Sequence, residues 1–129
     1  MHRSRIGVVL VDHPSETYEA AADFWAAAHG SSRPEKHATA ESPYEDLGHL
    51  SGAVELAMQR TGAGTPPRVH LDIETDDIEA ELARVLALGA TLAERHEEYA
   101  ILHDPGGLVF CIVPVQSRAE FEAGATTWS

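Results

Sequence analysis

The chain has 129 residues, 43% of them hydrophobic and 23% charged, the make-up of one globular domain with room for a core. Nine Lys plus Arg against 21 Asp plus Glu leave a net charge of −12, which argues against nucleic acid and membrane surfaces as partners, because both need a basic footprint. Cys111 is the single cysteine, so neither an intrachain disulfide nor a cysteine metal cluster is possible, and no apolar run has the length of a membrane span or signal core; cytoplasm is the expected location.

Ile6 to Val11 is apolar and rich in β-branched residues, and predicts a strand ending at Asp12-His13-Pro14. Ser15 or Thr17 then caps a helix running to Ala28 or His29. Acidic residues sit in its first turns, where the helix dipole favours them, and Gly30 stops it. Tyr18, Ala21, Ala22, Trp25 and Ala28 recur at helical spacing as its apolar stripe, so Trp25 reads as core before it reads as a cofactor platform. Residues 31–52 are rich in Ser, Pro, Glu, His and Gly, with one or two short strands expected around His37 to Ala40 and Tyr44 to Leu47. Ala53 to Arg60 predicts a further strand, and the Gly/Pro-rich Thr61 to Pro67 is the clear linker.

After the linker the order repeats. Arg68 to Glu74 alternates, with Val69, Leu71 and Ile73 on the face expected against the helices and Arg68, His70, Asp72 and Glu74 on the other. Asp76 or Asp77 caps a helix to Leu88, whose inward side is Ile78, Leu82, Val85 and Leu86, and Gly89 ends it. Thr91 to Arg95, Tyr99 to Leu102 and Leu108 to Val113 predict three strands, with Asp104-Pro105-Gly106-Gly107 turning the last hairpin. Past Val115 the pattern weakens, and Phe121 and Trp128 are left to dock on the body or on a partner. Arg5-Ile6-Gly7-Val8 lies over Arg68-Val69-His70-Leu71, so an internal duplication is the reading: one domain over 1–117, in modules 1–64 and 65–117, with a tail over 118–129.

The segments Arg68-Val69-His70-Leu71-Asp72-Ile73, Asp76-Asp77-Ile78, Leu86-Ala87-Leu88-Gly89-Ala90-Thr91 and Leu102-His103-Asp104-Pro105-Gly106-Gly107-Leu108-Val109-Phe110-Cys111 occur in that order. Together with Phe24-Trp25 before Gly30, they resemble the vicinal oxygen chelate superfamily, the glyoxalase and bleomycin-resistance-like proteins, over residues 5–115. The resemblance implies an α+β fold in which two βαβββ modules form a curved mixed sheet around a cup-shaped pocket, commonly as a homodimer. Its enzymes hold a divalent metal in the cup through ligands at symmetric strand positions. Carried onto this chain, His70 falls on the family's histidine position and Glu55, in Val54-Glu55-Leu56, on a glutamate position. The first-strand position falls at Arg5 or Gly7, neither a useful ligand, and Cys111 stands where the last-strand glutamate is expected.

A catalytic metal needs three or four ligands and an open position for substrate. The sequence places two, and a third only with Cys111 as thiolate, where Val109 and Val113 favour a neutral buried thiol. No metal and no other cofactor is therefore expected. His70 admits two readings, pocket lining or a structural pair with Asp72 on the same strand face. Glu55 and Gln59 share a face, as do Tyr99, Ile101 and His103; the candidate ligand-binding residues are thus His70, Glu55, Gln59, Asp72, Tyr99 and Cys111. His13, His29, His37 and His49 match no metal motif, and no nucleophile triad or phosphate loop is visible in the sequence order. Two classes follow. One is a metal-free module binding a small organic molecule, as bleomycin-resistance-like proteins do; the other is a lyase, isomerase or dioxygenase using a degenerate metal site or acid–base residues such as Glu55 and His70.

Overall fold

The computed structural model describes residues 1–33, 39, 41–50 and 52–129; apart from Thr39, the short strand expected around 37–40 falls outside them. The elements in chain order are β1 (His2–Pro14), α1 (Tyr18–His29), β2 (Tyr44–Leu50), β3 (Val54–Thr61), β4 (Arg68–Thr75), α2 (Ile78–Ala87), β5 (Thr91–Arg95), β6 (Ala100–His103), β7 (Val109–Pro114), α3 (Arg118–Gly124) and β8 (Thr126–Trp128). The fold is α+β with a mixed sheet, as the sequence implies. Two compact units make it up, Val8–Val69 and Met1–Gly7 with His70–Ser129, and the division falls inside β1 and β4 rather than in the Gly/Pro linker.

In the Val8–Val69 unit the strand order is β2-β3-β1. β1 and β3 are parallel, from Val8 opposite Glu55 to Pro14 opposite Thr61, and β2 pairs antiparallel with β3. Parallel neighbours need a crossover, which α1 supplies. Its C-terminus closes on Gly30 at φ 81°, whose N–H donates to the Ala27 carbonyl; only glycine takes that left-handed cap without strain. Tyr18, Ala22 and Ala26 face inward and join Val11, Leu47, Leu56 and Met58 in one core cluster. The expected stripe is therefore corrected at its edge: Trp25 is 39% exposed, Ala28 is exposed, and Phe24 meets Trp25 edge to face at 5.1 Å. Two alanines behind Tyr18 let the helix axis approach the sheet closely, which leaves the larger indole outside. Tyr18 anchors the register by donating to Glu45 Oε1 at 2.9 Å, and Arg33 donates to both oxygens of that buried carboxylate at 2.6 and 2.9 Å. Burial, and then the Glu45 carboxylate, push the Tyr18 hydroxyl far above its ordinary range.

The other unit contains a full βαβββ run, β4-α2-β5-β6-β7, in the order β1-β4-β7-β6-β5. β4 and β7 are parallel, and β6 pairs antiparallel with both β5 and β7. Asp77 caps α2 by accepting from the Ala80 N–H at 3.1 Å. Leu82 and Val85 bury against Ala100, Leu102 and Ile112, with Ile73 and Phe110 packed beside them. Leu86, expected inward, is 39% exposed, and Val69, expected against the helices, is 49% exposed at the start of β4.

Glu81 takes a fully buried place on α2, accepting from Arg84 at 2.8 and 2.7 Å and from Ser4 at 3.0 Å, with His2 Nε2 at 2.7 Å. Burial alone would push its carboxyl up; the hydrogen bonds from Arg84, His2 and Ser4 outweigh that and hold it below the usual carboxylate range. The residues after Val115 form α3 and β8, the latter antiparallel to the start of β1. Phe121 is fully buried, Trp128 Nε1 donates to Ser4 Oγ at 2.9 Å, and the Arg84 guanidinium lies 3.9 Å from the Trp128 ring centroid. Both aromatics thus dock on their own unit.

Candidate functional site

Strand alternation divides β4 and β7 chemically. Ile73, Phe110 and Ile112 point to the α2 cluster, so His70, Asp72 and Glu74 of β4 and Cys111 of β7 belong to the opposite face. The parallel register sets Asp72 directly beside Cys111, and Ile101 of β6 is the neighbour of Cys111 on its other side. His70 Nε2 lies 3.6 Å from Asp72 Oδ1. The donor atoms of His70, Asp72 and Cys111 all lie within 4.8 Å of one another, the one such grouping among the described residues. His70 is 5% exposed, and Asp72 and Cys111 are half-buried.

At the end of the same strand, Glu74 is fully buried. Arg5 Nε donates to its Oε2 at 2.9 Å, and the N–H groups of Gln116 and Ser117 donate to Oε1 at 3.0 and 3.1 Å. This carboxylate folds directly over Gly7, where an added Cβ would sit 2.6 Å from Glu74 Cδ. Gly7 is required by that close approach.

The remaining candidates have other surroundings. Tyr99 closes the β5–β6 hairpin, and its ring stacks on His96 at 4.4 Å. Glu55 and Gln59 lie in the Val8–Val69 unit, on the face of β3 opposite Leu56 and Met58. Gln59 Nε2 donates to the Tyr44 hydroxyl at 3.1 Å. Sequence reading missed the ion pair on that face, between Arg68 Nε and the buried Asp12 Oδ2 at 2.9 Å, because its members are 56 residues apart. It also missed an apolar cleft of about 270 Å³ on the α2 side of the second unit, lined by Ile6, Leu71, Ile73, Val85, Leu88 and Phe110. The polar groups at its rim are already engaged: Arg84 with Glu81, and Asp104 with the N–H groups of Gly106 and Leu108.

A model of the glyoxalase-like domain matches residues 8–113. The chain belongs to the glyoxalase-like domain family, within the vicinal oxygen chelate superfamily. Solved structures with the same fold include hypothetical protein BH1468 from Bacillus halodurans C-125, 11% identical with a TM-score of 0.60 over 88% of this chain and 96% of that one. Methylmalonyl-CoA epimerase from Mycobacterium tuberculosis is 13% identical, with a TM-score of 0.57 over 92% of this chain and 91% of that one. At such identities the likeness is one of fold. No curated protein matches the sequence.

The divalent metal of the glyoxalase-like enzymes can be tested against these residues. At the first-strand position Gly7 has no donor, and the space above it is filled by a Glu74 carboxylate already bound by Arg5 and two backbone N–H groups. At the last-strand position the donor is a thiol, not a carboxylate. The cluster that does form draws His70, Asp72 and Cys111 from one strand pair, not from symmetric positions in two modules. The family's ligand set does not fit this glyoxalase-like chain. What the face offers is an imidazole, a carboxylate and a thiol beside apolar Ile101, Val109 and Val113.

Proposed function

We propose that this glyoxalase-like protein binds a small organic molecule on the β4–β7 face, without a resident metal, with His70, Asp72 and Cys111 as contacts and Tyr99 at the margin. The observation that carries the reading is the gathering of three polar groups within 4.8 Å beside apolar Ile101, Val109 and Val113. A few convergent polar groups in apolar surroundings is the usual composition of a small-molecule site. The α2-side cleft is lined mostly by apolar side chains, and Arg84 and Asp104 at its rim are engaged with Glu81 and with the N–H groups of Gly106 and Leu108. The test is a thermal-shift screen of small organic molecules, followed by titration calorimetry of any hit against His70→Ala. Binding that weakens by about tenfold or more, roughly 1.4 kcal/mol, is expected; a hit that binds the variant equally well removes His70 from the site.

The lyase, isomerase or dioxygenase reading is the second one. It would be favoured by close to one Zn, Ni, Fe or Mn per chain in protein purified without chelator, lost in His70→Ala. We extend the first reading to a homodimer, which rests on the family resemblance, and to the cytoplasm, which the single cysteine supports. Light scattering at tens of micromolar showing only the 13.9 kDa monomer would count against the dimer.

A further inference from the structure

The order His70, Asp72, Cys111 forms no sequence motif; strand pairing creates the constellation. Asp72 and Cys111 are register neighbours on parallel strands, His70 lies two residues back on the same face, and Asp72 Oδ1 is 3.6 Å from His70 Nε2. A thiol within 4.8 Å of an imidazole that a carboxylate approaches to 3.6 Å is the kind of arrangement that activates a cysteine nucleophile. Cys111 is half-buried rather than sealed in the core.

Resting on the small-molecule reading of this face, we propose that Cys111 is a nucleophile toward small, uncharged, soft electrophiles, with His70 taking its proton and Asp72 positioning His70 and repelling anions. The class follows from the surroundings. A thiolate is soft and prefers polarizable carbon, such as the β-carbon of an α,β-unsaturated carbonyl. Ile101, Val109 and Val113 make the flanks apolar. The Asp72 carboxylate beside the sulfur, in a chain of net charge −12, disfavours a second negative charge.

The step balances without a co-reactant. As the sulfur–carbon bond forms, the C=C π bond breaks and its electron pair moves onto the carbonyl oxygen as an enolate. The thiol proton passes to His70 and from there to the α-carbon. Nothing leaves, and nothing is oxidised or reduced.

The test uses the full chain and two matched probes, uncharged N-ethylmaleimide and its carboxylated counterpart 3-maleimidopropionic acid, with Cys111 adducts followed by intact mass spectrometry. General-base help of this kind is worth on the order of 100-fold or more in enzymes, so N-ethylmaleimide should react at least roughly tenfold faster with the folded chain than with the urea-unfolded one. His70→Ala and His70→Gln should both erase that advantage. Asp72→Asn, which keeps the shape and removes the charge, should narrow the preference for the uncharged probe to that of the unfolded chain.

A folded-state rate no faster than the unfolded one, or one indifferent to both His70 variants, overturns the proposal. So does protein that carries close to one divalent ion per chain and reacts only after chelation, since the cluster would then be a metal site. An unreactive thiol in a protein whose Cys111→Ser variant still binds a non-electrophilic hit removes this inference and leaves the binding reading standing. Loss of that hit in His70→Ala, Asp72→Asn and Cys111→Ser alike, with an unreactive thiol, also overturns the nucleophile and assigns the three residues to binding alone.

Discussion

On the α2 side of β4 and β7, Ile73, Phe110 and Ile112 meet Leu82 and Val85 in a continuous apolar cluster. One residue along the same two strands, the opposite face carries His70, Asp72, Glu74 and Cys111. The backbone is common to both; only the alternation of side chains differs. Packing stabilises the first face, and the second spends that stability on polar groups that must each find a partner. Glu74 shows how completely this can be met, with Arg5 on one oxygen and two backbone N–H groups on the other. The His70–Asp72–Cys111 group instead gathers an imidazole, a carboxylate and a thiol within 4.8 Å of one another.

If that contrast is right, substitutions on this strand pair should separate into large stability effects and small ones. Glu74→Ala should have the largest, about 3–5 kcal/mol, because it leaves a buried Arg5 without its carboxylate; chemical denaturation would read it, and a loss below about 1 kcal/mol would mean the pair is not the anchor it resembles. Ile112→Ala, on the α2 face, should cost about 2–4 kcal/mol through lost burial and the cavity left behind. Gly7→Ala should cost about 1–3 kcal/mol by pushing Glu74 off its partners, and should be nearly silent in a Glu74→Ala background, a coupling that a double-mutant cycle measures.

A smaller effect, with a defined pH window, comes from Glu81. Its folded carboxyl is held below the ordinary glutamate value of 4.5, so the stability it contributes is complete above about that pH. That contribution is lost as pH falls through the folded value. Melting temperatures should drop more steeply below pH 4.5 in the parent protein than in Glu81→Gln. Smallest of all should be His70→Ala, about 1 kcal/mol or less, despite its near-complete burial. A drop as large as that of Ile112→Ala would place His70 in the core and dissolve the difference between the faces.

Much of the candidate site was legible in advance. Period-2 alternation from Arg68 to Glu74 was enough to put His70 and Asp72 on the face away from the helix, and the segment ending Phe110-Cys111 pointed to the strand that carries the thiol. Neither signal reveals that Asp72 and Cys111 are neighbours. That depends on a parallel register between residues 39 positions apart, which local pattern does not encode. Trp25 misled for a related reason: helical spacing identifies a stripe to within one position, and packing against Val11, Leu56 and Met58 chose Ala26 over the indole. The tail showed no element in advance because α3 is 7 residues long and β8 is 3, too short for any periodicity to show.

By itself, then, the sequence determined the local elements up to Val115, an α2 cap at Asp76 or Asp77, the stop at Gly30, the repeated strand–helix–strand order and hence the family. These depend on side-chain period and on residues with restricted or unusual backbone freedom, all readable within a few positions. The tertiary structure alone decided that Glu74 lies over Gly7 against Arg5, that Glu81 gathers His2, Ser4 and Arg84, and that a thiol, an imidazole and a carboxylate meet on one strand pair. Each of those depends on strand register and on buried charge finding its partner across long stretches of chain, and the free energy that selects them exists only once the strands are side by side.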